Sequence, residues 1–168
     1  MKRSTIYFLL ATVVVLVVSN FGRLKNFAID LIKQFEGLRL NAYQDNGGVW
    51  TIGYGTTIYP NGQPVQPGDT ITSVQAEMFF RNDLEKFAQG VSDSITSIVS
   101  DNQFSALLSL AYNIGLNAFK NSTLLGLVND NPNNPEIRQQ FMRWVYVQGN
   151  VVQGLINRRT QEANLYFS

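Results

Sequence analysis

The residues best suited to chemistry in this chain are two carboxylates and one hydroxyl: Glu36, Asp45 and Thr51. Glu36 precedes a glycine that can end a helix, Asp45 enters an Asn-Gly-Gly turn, and Thr51 lies on the strand expected to return from that turn. Cleavage of a glycosidic bond needs a carboxylic acid to protonate the leaving oxygen and a second group to support attack at the anomeric carbon. Glu36 and Asp45 fit these two roles, with Thr51 placed to help Asp45 hold a water. The pattern favours a hydrolase.

Composition excludes several other chemistries. The chain has no His and no Cys, so Ser-His-Asp triads, thiol nucleophiles, disulfide frameworks and His/Cys zinc sites are unavailable to it. No loop carries the dense Asp and Asn ligands of a calcium site, and we expect neither a metal nor a cofactor. The net charge is +1 and the basic residues are scattered, so we expect no nucleic acid partner.

The elements that position the carboxylates follow from hydrophobic spacing. Apolar residues recur every three or four positions over 21–36, which predicts an amphipathic helix that ends at Glu36. A hairpin is expected over about 38–58, because Trp50, Ile52 and Tyr54 alternate with smaller residues. A loop rich in Pro and Gly then closes a small N-terminal lobe that spans about 21–70.

The remainder of the chain is expected to form a larger lobe made only of helices, over about 71–168. The sequence Thr72-Ser73-Val74-Gln75 has the form of a capping box and predicts a helix that runs to about Gln89. Four more helices are predicted, over about 101–114, 120–128, 136–144 and 155–165. The 168 residues are 45% hydrophobic, enough for one domain with a core. The predicted fold class is therefore α+β.

An apolar segment precedes this domain, within residues 1–20. Met1-Lys2-Arg3 is positively charged, and the thirteen residues from Ile6 to Val18 carry no charge. The apolar run suits a secretory signal peptide and falls short of the roughly 20 residues of a typical transmembrane helix. Three alternatives remain: a cleaved signal peptide, a permanent anchor, and an uncleaved anchor weak enough to leave the membrane later. We favour the third.

The spacing of the catalytic candidates resembles that of a known family. Glu36, Asp45 and Thr51, together with Glu36-Gly37 and the run Thr51-Ile52-Gly53-Tyr54-Gly55, resemble the phage-type lysozymes of glycoside hydrolase family 24. The resemblance continues through Gln103–Leu107, Tyr112–Gly115 and Gly154–Arg159. It implies a lysozyme-like fold and inverting hydrolysis of the β-1,4 bond between N-acetylmuramic acid and N-acetylglucosamine in peptidoglycan. Glu36 would be the general acid, while Asp45 and Thr51 would position the water.

The same resemblance suggests further site residues. Tyr112 and Ser122 match positions that line the substrate cleft in this family, and either Arg158 or Arg159 is placed to reach the active site. The implied partner is peptidoglycan, and we expect a monomer. Two other functions stay open at this point: a lytic transglycosylase acting on the same bond, and a wall-binding or holin-like protein without enzymatic activity.

Within the family, residues 1–20 resemble the signal-anchor-release segment of certain endolysins. That resemblance implies uncleaved export by the host machinery, tethering to the periplasmic side of the inner membrane through residues 6–18, and release into the periplasm on activation. Because the chain has no Cys for a thiol switch, dormancy would come from tethering itself. About sixteen residues separate the segment from Glu36, and a helix of that length spans only about 24 Å. Arg23 or Lys25 is placed to pair with Glu36 in the tethered state.

Overall fold

The computed structural model describes residues 27–45 and 47–168. The apolar segment at residues 6–18, together with Arg23 and Lys25, lies outside the described residues, so the expectations about them stay predictions. Among the helices that are described, none combines the length and apolar character needed to cross a bilayer.

In its described residues, the smaller lobe holds one helix and one hairpin, as the hydrophobic spacing predicts. Helix α1 spans Phe27–Glu36, and the amide of Gly37 donates to the Lys33 carbonyl at its end. Strands β1 (Arg39–Gln44) and β2 (Trp50–Gly53) pair antiparallel, with Tyr43 opposite Thr51. This pairing places the turn at Asp45 at one end of the hairpin, where it faces the larger lobe.

Two long helices carry the larger lobe. Helix α2 spans Ser73–Ser92 and begins with the predicted capping box between Thr72 and Gln75, although it runs three residues beyond the predicted end. Helix α3 spans Asp101–Ile114, as predicted, and it packs against α1, α2 and the C-terminal helix. The other helices are α4 (Leu116–Lys120), α5 (Thr123–Asp130), α6 (Ile137–Met142) and α7 (Gln153–Tyr166).

The prediction of an all-helical larger lobe is wrong at one place. Strands β3 (Tyr146–Val147) and β4 (Asn150–Val151) form a short antiparallel hairpin, closed at its base by a hydrogen bond from the Val152 amide to the Val145 carbonyl. The helix predicted over 120–128 is also wrong in its extent, because the chain breaks at Ser122 between α4 and α5. The helix predicted over 136–144 is shorter than expected, since the chain turns toward β3.

The core that supports the site joins both lobes. Ala28 and Ile32 of α1 are fully buried and belong to the same hydrophobic cluster as Phe80 of α2 and Leu107 of α3. Full burial of an Ile, Leu or Phe side chain stabilises a fold by about 1.5–3 kcal/mol. Helix α1 is therefore fixed on its apolar face, and its last residue, Glu36, has a defined position.

Candidate active site

A cleft of about 1120 Å³ lies between the two lobes. Its walls come from the end of α1, the β1–β2 hairpin, α2, the end of α3, the β3–β4 hairpin and α7. The volume is larger than the roughly 300–1,000 Å³ typical of pockets for small ligands. A cleft of this size suits a polymeric substrate such as an oligosaccharide.

Glu36 lies in this cleft as the last residue of α1, with a side chain that is 18% exposed. Its Oε1 accepts a hydrogen bond from Nη1 of Arg158 at 2.8 Å. Its Oε2 faces Gly55, where a β-carbon would lie only 3.4 Å from that oxygen. Oε1 of Glu36 is thus held by Arg158, while Oε2 lies beside Gly55, which has no side chain.

Asp45 is held by its own turn. Its Oδ1 accepts hydrogen bonds from the amides of Gly47 and Val49, both at 2.8 Å. Within residues 27–45 and 47–168, its Oδ2 takes part in no hydrogen bond. The turn therefore fixes the orientation of the carboxylate and leaves one oxygen available to a substrate or water.

Thr51 is nearly buried, with 4% of its surface exposed, and it also lines the cleft. Its hydroxyl donates to the Val49 carbonyl at 3.0 Å, so its remaining capacity is to accept a hydrogen bond. The backbone of Val49 therefore orients both side chains: its amide binds Asp45 and its carbonyl binds Thr51. The structure brings Glu36, Asp45 and Thr51 together in one cleft.

The two residues predicted to bind substrate differ in placement. Tyr112 lines the cleft, and its hydroxyl donates to the Tyr54 carbonyl at 2.9 Å. Burial raises the pKa of Tyr112, which keeps the hydroxyl protonated. Ser122 is not brought to the cleft: its hydroxyl donates to the Phe119 carbonyl and accepts from the Leu125 amide, as the cap of α5.

The structure separates the roles of the two adjacent arginines. Arg158 reaches Glu36, whereas Nη2 of Arg159 donates to Oδ1 of Asn113 at 2.7 Å. Both arginine side chains are buried. Burial lowers the pKa of Arg159 to about 10, so its guanidinium is still charged at neutral pH.

Sequence reasoning missed one wall of the cleft. Tyr146 of the β3–β4 hairpin lines the cleft with 59% of its surface exposed, and Trp144 lies beside it. The sequence signal was the Gln148-Gly149 turn between apolar residues, because a Gly-containing turn in that setting is typical of a hairpin. In the part of the chain that the structure describes, no three acidic side chains are grouped closely enough to hold a metal ion.

Comparison with known proteins agrees with this geometry. The family model described as phage lysozyme matches residues 33–162. This chain belongs to the phage lysozyme family. Among solved structures, this chain is similar to an endolysin from Escherichia coli O157:H7 phage FAHEc1, with 40% identity and a TM-score of 0.77 over 86% of this chain and 93% of the other.

Three curated relatives show how much of the chain the similarity covers. The endolysin of Bacillus phage PZA is 44% identical over 83% of this chain and 53% of its own length. The chain therefore spans about half the length of that relative, and the same holds for the endolysin of Bacillus phage B103. A protein named SAR-endolysin, from Bacteriophage PS119, is 32% identical over 77% of this chain and 75% of its own length.

Proposed function

We propose that this chain is a phage endolysin that hydrolyses the β-1,4 bond between N-acetylmuramic acid and N-acetylglucosamine in peptidoglycan, with inversion at the anomeric carbon. The observation that carries the proposal is the arrangement of Glu36, Asp45 and Thr51 in one cleft, with Asp45 and Thr51 oriented by the same backbone residue. Membership of the phage lysozyme family supports it.

In the proposed reaction, Glu36 delivers its proton to the glycosidic oxygen as the bond from that oxygen to the anomeric carbon breaks. Because Arg158 holds Oε1, the oxygen that delivers the proton is Oε2. Glu36 becomes a carboxylate in this step, and the Arg158 guanidinium stabilises the new negative charge. The contact with Arg158 thus favours the carboxylate that Glu36 becomes once it has delivered its proton.

The attacking water is held by the other two residues. Thr51 and Oδ2 of Asp45 each accept one O–H of the water, which leaves an oxygen lone pair to form the new bond at the anomeric carbon. Asp45 takes the proton that the water loses. Attack opposite the leaving oxygen produces a reducing sugar of inverted configuration and a free 4-hydroxyl on the other fragment.

Mass analysis of the muropeptides released from purified peptidoglycan tests this reaction. Hydrolysis adds a water across the cleaved bond and leaves a reducing end. A lytic transglycosylase uses no water and leaves an anhydro sugar, so an anhydro product would overturn the proposal. Glu36→Gln is expected to release no product, whereas the matched control Glu85→Gln, on the exposed side of α2, retains activity.

We propose further that residues 6–18 tether the protein to the inner membrane on the periplasmic side after export by the host machinery, and that release activates it. The length and charge of the segment support this, as does the similarity to the SAR-endolysin of Bacteriophage PS119. Fractionation of intact cells before and after collapse of the membrane potential is expected to move a full-length protein from membrane to periplasm. A shorter periplasmic product from the outset would show a cleaved signal peptide instead.

Dormancy of the tethered form needs its own experiment, because location alone does not establish inactivity. Membrane vesicles that carry the tethered protein are expected to release fewer reducing ends from added peptidoglycan than the same amount of released protein. Equal activity of the two forms would contradict dormancy by tethering.

A further inference from the structure

We propose that Glu162 and Ser109 are positioning residues that hold the Arg158 guanidinium against Glu36 and set the pH range over which Glu36 delivers its proton. The inference rests on the proposed function, in which Glu36 is the general acid. None of the sequence patterns points to Glu162 or Ser109, which lie behind the cleft wall and do not line it.

The contacts of Arg158 carry the argument. Its Nε donates to Oε1 of Glu162 at 3.1 Å, its Nη1 to Oε1 of Glu36 at 2.8 Å, and its Nη2 to the Ser109 carbonyl at 3.2 Å. The Ser109 hydroxyl donates to the same Glu162 oxygen at 2.6 Å. Each guanidinium nitrogen therefore has one acceptor, and the planar group has a single orientation.

Burial of these charged side chains lowers the stability of the fold unless the charges have a function. Glu162 and Arg159 are fully buried, and Arg158 is 3% exposed. Transfer of charged groups out of water costs several kcal/mol per ion, and well-packed apolar residues often replace a buried ion pair without loss of stability. A buried carboxylate directly behind the arginine of a general acid is therefore better explained by its effect on that acid.

Two opposing effects act on the charge of Glu162. Burial raises its pKa, but two guanidinium groups and the Ser109 hydroxyl act in the opposite direction. Arg158 and Arg159 each place a nitrogen 3.1 Å from one of its oxygens. Protonation of Glu162 would remove the carboxylate charge that both buried guanidinium groups contact, although Arg158 is also paired with Glu36.

The charge of Glu162 matters to Glu36 through Arg158. Among the described residues, the titratable and charged groups near Glu36 include Arg158 and Arg159 of α7, Tyr112 of α3 and Tyr43 of β1. The same cleft is also lined by Asp45, Asp83, Lys86 and Arg143. Burial raises the pKa of both tyrosines, so they are neutral at pH 7. The charge in direct contact with Glu36 is the Arg158 guanidinium. The negative charge of Glu162 lies on the other side of Arg158 and offsets part of the positive charge that Arg158 presents to Glu36.

The pH dependence of kcat/KM on purified peptidoglycan tests the proposal. Glu162→Gln removes the charge with little change of shape, and the alkaline limb of the profile is expected to move to lower pH by about half a unit. Glu162→Asp retains the charge and is expected to keep the limb near that of the parent. Equal limbs for the Gln variant and the parent would overturn the proposal.

A matched control separates positioning from stability. Tyr166 lies on the same helix, is buried, and donates a hydrogen bond from its hydroxyl to the Pro132 carbonyl at 2.8 Å. Tyr166→Phe is expected to lower stability without moving the limb. If it moves the limb as far as Glu162→Gln does, the effect is general loosening of the fold and the proposal is refuted.

A second variant and an NMR titration test the same role of Glu162 and Ser109. If Glu162→Gln does not fold, Ser109→Ala removes the 2.6 Å bond alone and is expected to shift the limb in the same direction by a smaller amount. Titration of the Glu36 carboxyl carbon by NMR, assigned with Glu36→Gln, reads the same shift without any substrate. A parent that hydrolyses nothing would refute the proposed function, whereas an unmoved Glu36 titration in Glu162→Gln would refute the positioning role.

Discussion

Replacement of Gly55 by alanine places a methyl group beside the oxygen of Glu36 that is proposed to carry the proton. The new β-carbon would lie 3.4 Å from Oε2 of Glu36 and 3.6 Å from the Tyr112 ring. The oxygen of the leaving group needs that same approach to Oε2. A displacement of about 1 Å from the productive geometry costs on the order of 100-fold in rate, and we expect a fall of that order in kcat/KM.

The control for this variant is Gly62→Ala. Gly55 has φ +95° and Gly62 has φ +84°, so an alanine is strained at either position, by about 1–2 kcal/mol. A β-carbon at Gly62 meets nothing within 4 Å. Urea unfolding is therefore expected to show similar losses of stability, while release of reducing ends from peptidoglycan falls only in Gly55→Ala. Parent-like activity of Gly55→Ala, measured well below its melting temperature, would refute the role of Oε2.

Three other variants test different parts of the structure. Tyr112→Phe removes the hydrogen bond to the Tyr54 carbonyl and is expected to lower the free energy of unfolding by about 1 kcal/mol in urea titrations. Tyr146→Ala, at an exposed cleft position, is expected to raise KM for peptidoglycan with stability changed by less than about 0.5 kcal/mol; an unchanged KM would remove Tyr146 from the binding surface. The hydrogen bond from Lys33 lowers the pKa of Glu77. The stability that this carboxylate contributes is therefore fully present above its unfolded-state pKa, and it is lost as the pH falls through its folded-state pKa. Glu77→Gln is therefore expected to be less stable than the parent at pH 7 and similar to it at low pH by thermal unfolding.

The catalytic candidates were predictable from sequence because their positions depend on local signals. A three-and-four spacing of apolar residues places Glu36 at the end of a helix, and an Asn-Gly-Gly turn places Asp45 and Thr51 at one end of a hairpin. Each signal extends over fewer than about 20 residues. The structure confirms these elements, and the catalytic roles of the three residues stay predictions.

The places where sequence and structure differ at the site have three separate causes. The β3–β4 hairpin has strands of two residues, too short for an alternating pattern to show. Ser122 is a helix cap, and a capping serine has the same sequence appearance as one that binds substrate. Glu162 contacts Ser109 across 53 positions of the chain, whereas a glutamate near the end of a helix is usually solvated.

The stereochemistry of the first product tests the central claim most directly. Proton NMR of the sugar released from a soluble peptidoglycan fragment, recorded before mutarotation, reports the configuration at the new reducing end. Because the substrate bond is β, attack by a water held by Asp45 and Thr51 predicts the α anomer as the first product. Initial formation of the β anomer would contradict the account, since it requires a covalent intermediate or attack from the side of the leaving oxygen.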